Sequence, residues 1–190
     1  MELTGRQQEI LTAALELIAA GGIQHLTIRN LAEKLGITEP AIYRHFRNKS
    51  EIIRTLIGEF DRGVPELPPE LTGFEAVARF VRSRFGQVAA QPPLAKVLFA
   101  EELFQEEPQF AQLLLEMMHR HREMLGQHFR EAQRTGEIRS DVPEEMLFRL
   151  VFGPVRLLVK QWGLSGGAFD LRRKGEELID VLRKLLAPCG

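Results

Sequence analysis

Cysteine is almost absent: the 190 residues hold one, Cys189, so no internal disulfide can staple the chain. No apolar run approaches the eighteen or so residues of a membrane-crossing helix. The opening Met1-Glu2-Leu3-Thr4 lacks the basic and apolar regions of a signal peptide. A cytoplasmic protein with no membrane partner is therefore expected. Charge of neither sign is in excess, with 25 Lys and Arg against 26 Asp and Glu and a net charge of −1, which excludes wholesale polyelectrolyte binding. Strand-like alternation and internal repeats are missing. So are a nucleophile elbow, a P-loop, a dinucleotide fingerprint and a metal signature. No catalytic residue and no cofactor are assigned, and an enzyme is not expected.

What is present is helical. Thr4-Gly5-Arg6-Gln7 has the spacing of a capping box, and Ile10, Leu11, Ala14, Leu15 and Ile18 follow with helical period. Gly21-Gly22 ends that helix. Thr27 is placed to cap a second, whose Ile28, Leu31, Ala32 and Leu35 form one stripe. Gly36 suits a left-handed stop. Thr38 is expected to cap a short third helix with Pro40 in its first turn, where a missing N–H does no harm. Ile42 and Phe46 lie four apart and can bury together, leaving Glu39, Pro40, Tyr43 and Arg44 outward on a helix too short to stand alone. Asn48-Lys49-Ser50-Glu51 opens a fourth, with Asn48 as cap and Glu51 reaching back. Lys49 then sits where the macrodipole disfavours a cation, unless an anion binds there.

The charge is local rather than global. Residues 1–62 balance, with eight basic and eight acidic residues. Between Arg44 and Arg54, however, Arg44, Arg47, Lys49 and Arg54 face only Glu51.

Gly63 to Glu70 breaks the helical pattern and marks a boundary. Helices are expected from Phe74 to Ala90, from about Leu94 to Phe104, from Pro108 to about Arg134, from an Asp141-Val142-Pro143-Glu144 cap through Trp162, and from an Asp170 cap to near Pro188. The penultimate helix is apolar on several sides, so it needs more than one burying surface. One surface can be the body of the domain and the other a second copy of the chain, in a four-helix bundle about a twofold axis, with Leu150, Val151, Leu158, Trp162, Leu178 and Leu182 as candidate dimer contacts; a helix central within a monomer is the alternative.

Residues 4–60 resemble the DNA-binding domain of the tetracycline-repressor (TetR/AcrR) family of bacterial transcription regulators. The pattern runs through Ile10-Leu11-x-x-Ala14, Gly21-Gly22 and Leu26-Thr27-Ile28-Arg29-x-Leu31-Ala32. It continues in Leu35-Gly36-Ile37-Thr38, Ala41-Ile42-Tyr43-x-His45-Phe46-x-Asn48-Lys49 and Glu51-Ile52-Ile53. The resemblance implies an all-α fold of about nine helices. It comprises an N-terminal three-helix helix-turn-helix DNA-binding domain (residues 1–48), a connecting helix (49–63) and a C-terminal helical ligand-binding and dimerisation domain (64–190). It also implies a homodimer on a pseudopalindromic double-stranded operator, with the third helix of each subunit in the major groove and release by a small-molecule effector. Tyr43, His45, Lys49 and Thr27 match phosphate contacts, which position without reading sequence. Thr38, Glu39, Pro40 and Arg44 are the candidate base readers, with Ala41 beside them: Arg44 suits guanine, Glu39 cytosine N4, Pro40 a thymine methyl.

For the effector, an adaptable Met- and Phe-rich interior suits a lipophilic molecule, with Phe80, Phe99, Leu103, Phe104, Met117 and Met118 as candidate lining. Glu101 and Glu102 lie in the same stretch. His119, His121 and His128 are spaced by two, seven and nine, which does not converge on one ion, so no metal site is assigned and solvated histidines are expected. An effector-independent architectural or division-control DNA-binding protein on the same scaffold is the alternative reading. A protein that keeps the fold but has lost DNA binding is a third.

Overall fold

Capping chemistry punctuates the chain nearly where the sequence predicts it. The structure, a computed structural model, describes residues 3–64, 66–68, 70–99 and 107–188. Among these are nine α-helices and no strand: α1 Gly5–Gly21, α2 Ile28–Leu35, α3 Glu39–Tyr43, α4 Lys49–Arg62, α5 Gly73–Ala90, α6 Pro93–Leu98, α7 Pro108–Arg134, α8 Glu144–Leu164 and α9 Leu171–Leu185. The all-helical class is as expected.

The predicted box at the start of α1 forms: Thr4 N–H donates to Gln7 Oε1 at 3.0 Å, and Gln7 N–H to Thr4 Oγ1 at 3.3 Å. Asp170 caps α9 by accepting from Arg173 N–H at 3.1 Å. Two expected caps do not form. Thr38 makes no side-chain bond to α3. At α8 the cap position is Pro143, because Asp141 is held by Arg139 at 2.6 and 2.7 Å. At α4, Asn48 accepts from Glu51 N–H at 2.8 Å, but Glu51 reaches one residue further back than expected, to Arg47 N–H at 2.5 Å.

The described chain forms two compact units: Met1–Arg62 with Gln91–Leu114, and Gly63–Ala90 with Leu115–Gly190. Residues 91–114, which follow the Gly63 break in sequence, thus cluster with the N-terminal helices. In the first unit, Ile10, Ile18, Leu26, Leu31, Ile42, Ile52 and Ile53 are fully enclosed. Lys96 on α6 donates to the carbonyl of Ala19 in the last turn of α1 at 2.7 Å, which satisfies a helix-end acceptor. At the other end of that unit, Ser50 donates to Glu107 at 2.6 Å and Arg54 to Gln109 at 2.8 Å, joining α4 to the start of α7.

The second unit is built on aromatics. Phe74, Phe80, Phe85 and Phe129 are each no more than 1% exposed, and each contributes on the order of 1.5–3 kcal/mol by leaving water. α9 comes so close to α5 that only glycine fits at position 175, where a Cβ would meet the ring of Phe85. An ion network ties the same pair of helices. Glu75 accepts from Arg82 at 2.6 Å and from Arg183 at 2.7 Å, and Arg82 also reaches Glu176 at 2.9 Å.

Partial burial opposes ionisation of Glu75, but the hydrogen bonds from Arg82 and Arg183 outweigh it and hold its pKa below the ordinary carboxylate range. A depressed folded-state pKa stabilises above the unfolded value and loses that stability as pH falls through the folded value. Glu75 is about two-fifths exposed, with 43% of its side chain accessible, so the contribution is discounted to about 0.5–1 kcal/mol. Glu75→Gln is expected to lower Tm by about 2 °C at pH 7. In thermal melts repeated down the pH scale, the difference from wild type should shrink below the ordinary carboxylate range. A difference independent of pH would show that the carboxylate charge is not what matters.

Candidate nucleic-acid interface and regulatory interior

Three local features set the presentation of α3. Thr27 caps α2, accepting from Asn30 N–H at 3.0 Å. Gly36 ends α2 with φ 64° and ψ 32°, a left-handed conformation that a β-carbon penalises. Ile42 and Phe46, 0% and 2% exposed, then fix α3 and the turn after it to the body of the first unit. What remains outside is Thr38, Glu39, Pro40, Tyr43 and Arg44, all exposed, while Ala41, His45 and Lys49 are half-buried and Thr27 is exposed. Tyr43 has half its surface free at 50%. Gln7 donates to the carbonyl of His45 at 3.4 Å and so ties the end of this element to α1. The expected outward face is therefore the observed one.

Electrostatics separate this face from the rest of the unit. Three other exposed arginines of the unit are ion-paired, Arg6 with Glu9, Arg29 with Glu33 and Arg62 with Glu59, and Arg54 donates to Gln109. The side chains of Arg44, Arg47 and Lys49 have no ion-pair partner among the described residues. Three cations without an ion-pair partner, an exposed aromatic hydroxyl and the start of α4, where Asn48 takes the Glu51 N–H, leave this face locally positive. Beside this face, on the first turn of α2, Arg29 is exposed and paired with Glu33, and its pKa is raised first by Glu33 and, more weakly, by Glu39. Its i,i+4 partner Glu33 offsets its charge, so a search for locally uncompensated basic residues passes over it.

The second unit has a different character. Phe80 lies edge-on to His121 at 4.9 Å and to Phe152 at 5.7 Å between centroids, and Phe148 stacks on Phe152 at 4.4 Å. Two cations enter this aromatic interior. Arg84, 5% exposed, places its guanidinium carbon 5.0 Å from the Phe80 ring centre. Arg156 approaches the sulfur of Met118 at 3.9 Å, and burial lowers its pKa.

Residues 10–56 match the family model for bacterial regulatory proteins of the tetR family, and residues 66–185, more than half of the chain, match the C-terminal region of the YsiA-like protein. The chain belongs to the TetR family of bacterial transcription regulators. The fatty acid metabolism regulator protein of Bacillus subtilis (strain 168) is 24% identical over 182 residues, covering 93% of each chain. The fold is shared with the fatty acid degradation regulator FadR from Bacillus halodurans, with a TM-score of 0.81, 21% identity and coverage of 96% of this chain and 97% of that one. It is shared also with FadR from Bacillus subtilis in complex with stearoyl-CoA, with a TM-score of 0.72, 22% identity and coverage of 92% and 96%.

Within this TetR-family chain, the residues chosen from sequence for the regulatory half fare unevenly. Phe80 and Met117 are buried in the second unit and Met118 is half-buried there, whereas Phe99 clusters with the first unit. Leu103, Phe104, Glu101 and Glu102 lie outside the described residues. The sequence reading missed Arg84, His121, Phe148, Phe152 and Arg156. His121 and His128 are only 8% and 9% exposed, which corrects the expectation of solvated histidines for these two; of the three on α7, His119 is the exposed one.

Of the candidate dimer contacts, Val151, Trp162 and Leu182 are buried within the chain itself, at 1%, 7% and 5%, and the Trp162 indole donates to the carbonyl of Phe169 at 2.8 Å. Leu158 and Leu178 are half-buried and Leu150 is exposed. The large apolar side chains of the second unit left facing outward among the described residues are Leu115 on α7, Met146, Leu150, Leu157 and Leu164 on α8, and Val181 and Leu185 on α9, each at least 43% exposed. No helix among the described residues is long and apolar enough to cross a membrane.

Proposed function

We propose that this TetR-family regulator is a dimeric repressor that leaves a pseudopalindromic operator when a long-chain acyl-CoA occupies its second unit. The observation that carries this is the whole-length likeness to regulators of fatty acid metabolism, one of them solved with stearoyl-CoA, joined to an interior of matching chemistry. An acyl-CoA is an apolar chain on an anionic head. Phe80, Phe152, Met117 and Met118 suit the chain, and Arg84 and Arg156 bring positive charge beside it.

At the DNA end, Tyr43 donates its hydroxyl to a backbone phosphate, and Lys49, His45 and Thr27 hold neighbouring phosphates. Arg44, Glu39, Thr38 and Pro40, with Ala41 between them, face base edges in the major groove. Two such heads dock together only at half-sites about 34–36 Å apart or a multiple of it, so a small change in their spacing is enough to release the dimer.

The test of the DNA face is operator binding measured across a salt series. Lys49→Ala is expected to weaken binding about tenfold and to lower the log–log salt slope by about 0.9 for each phosphate no longer neutralised. Tyr43→Ala is expected to weaken binding by a similar factor with the slope unchanged, because a neutral donor releases no counterion. Wild-type affinity in both variants would remove these residues from the interface. Binding to many unrelated genomic sites, with no loss on adding an effector, would favour the architectural alternative.

A further inference from the structure

A cleft in the second unit shares no lining residue with the ring cluster of Phe80, Phe148 and Phe152. It is an open cleft of about 800 Å³ between the segment that follows α4 and the outer side of α7. Val64, Leu67, Pro68, Leu71 and Met124 make its walls apolar. His128 also lines it. This imidazole is 9% exposed, has no hydrogen-bond partner among the described residues, and has its pKa lowered by burial. It is therefore neutral near pH 7, with one ring nitrogen able to accept a hydrogen bond. No hydrogen bond to the described residues occupies that acceptor, and it lines an open cleft, so a ligand that donates a hydrogen bond can reach it.

The charged groups lining the cleft set the sign of that ligand. They are Glu66 and Glu131, and no lysine or arginine lines it. Arg134 binds both oxygens of Glu131 at 2.7 and 2.9 Å, whereas Glu66 is exposed and has no partner among the described residues. Carboxylate and phosphate heads are repelled here, which separates this cleft from a site for an anionic effector. A quaternary ammonium satisfies the charge but brings no N–H for His128.

We propose that this cleft is a binding site for an amphiphilic primary ammonium, its alkyl chain along Leu67, Leu71 and Met124 and its –NH₃⁺ shared between His128 and Glu66. The full-length protein, titrated with decylammonium below its micelle-forming concentration, tests this by calorimetry and by the His128 ring-proton NMR signal, identified by its loss in His128→Phe. One site per chain is expected, with a shift of that signal. Glu66→Gln, a surface change that leaves the core intact, should weaken binding about threefold to fivefold. His128→Phe should weaken it about tenfold, and decyltrimethylammonium should bind wild type about tenfold more weakly than decylammonium. Decanoate should not bind the cleft. The proposal is overturned if decylammonium does not bind, if it binds both variants as it binds wild type, or if decanoate shifts the His128 signal as strongly.

Discussion

Leu157→Glu is expected to turn the dimer into monomers and to cost operator affinity a factor of about 10²–10⁴. Leu157 is 57% exposed in the isolated chain. It lies on α8 in line with Met146, Leu150 and Leu164, at spacings of eleven, seven and seven residues, which fall on one helical face. Between Leu150 and Leu157 stands Gly153, where a Cβ would meet nothing within 4 Å, so a second backbone can approach closely. A twofold interface repeats every substitution on both sides. A buried, unpaired carboxylate costs several kcal/mol in each copy, enough to raise the dimer dissociation constant by at least about a thousandfold. Operator affinity then falls because the second head no longer benefits from its effective concentration beside the first. Sedimentation and operator binding measure the two effects. Leu157→Met, which keeps the apolar surface, should retain both activities, and a dimeric Leu157→Glu protein that binds the operator normally would place the interface elsewhere.

The DNA-facing element was legible in the sequence because its determinants are local. Thr27, Gly36, Pro40, Ile42 and Phe46 lie within twenty residues and each acts on its own neighbourhood, by cap, turn or i,i+4 packing. The regulatory half was less legible because its determinants act across long separations. That His121 and His128 are buried depends on what covers α7, and nothing at those positions announces a cover. An α8 apolar on several sides told that several surfaces meet it, but not which face meets its own unit. Val151 and Trp162 turned inward, and Met146, Leu157 and Leu164 were left outside. Asp141 had the right spacing to cap α8, and lost that role to a neighbour, Arg139, with a stronger claim on its carboxylate. Arg84 reads as one more surface arginine until α5 is placed against its neighbours.

The second large effect expected is release by acyl-CoA. A ligand moves an equilibrium only by the difference in its affinity for the two states, so a hundredfold loss of operator affinity requires about 2.7 kcal/mol of preference for the DNA-incompetent form. A long acyl chain can supply that difference, since each buried methylene is worth about 0.8 kcal/mol and three or four more buried in one state than in the other suffice. Coenzyme A alone lacks the chain, and stearate, although Arg84 and Arg156 attract its carboxylate too, lacks the larger phosphate-bearing head. Neither is expected to match the thioester.

The most direct measurement is the fluorescence anisotropy of a labelled operator, held with the dimer near half-saturation and titrated with stearoyl-CoA, coenzyme A or stearate. The expected result is a fall to the free-DNA value with stearoyl-CoA, complete at about one equivalent per chain when binding is tight, and little change with the other two. Anisotropy that stays constant while calorimetry shows stearoyl-CoA bound, or an equal response to all three compounds, would contradict an acyl-CoA-released repressor.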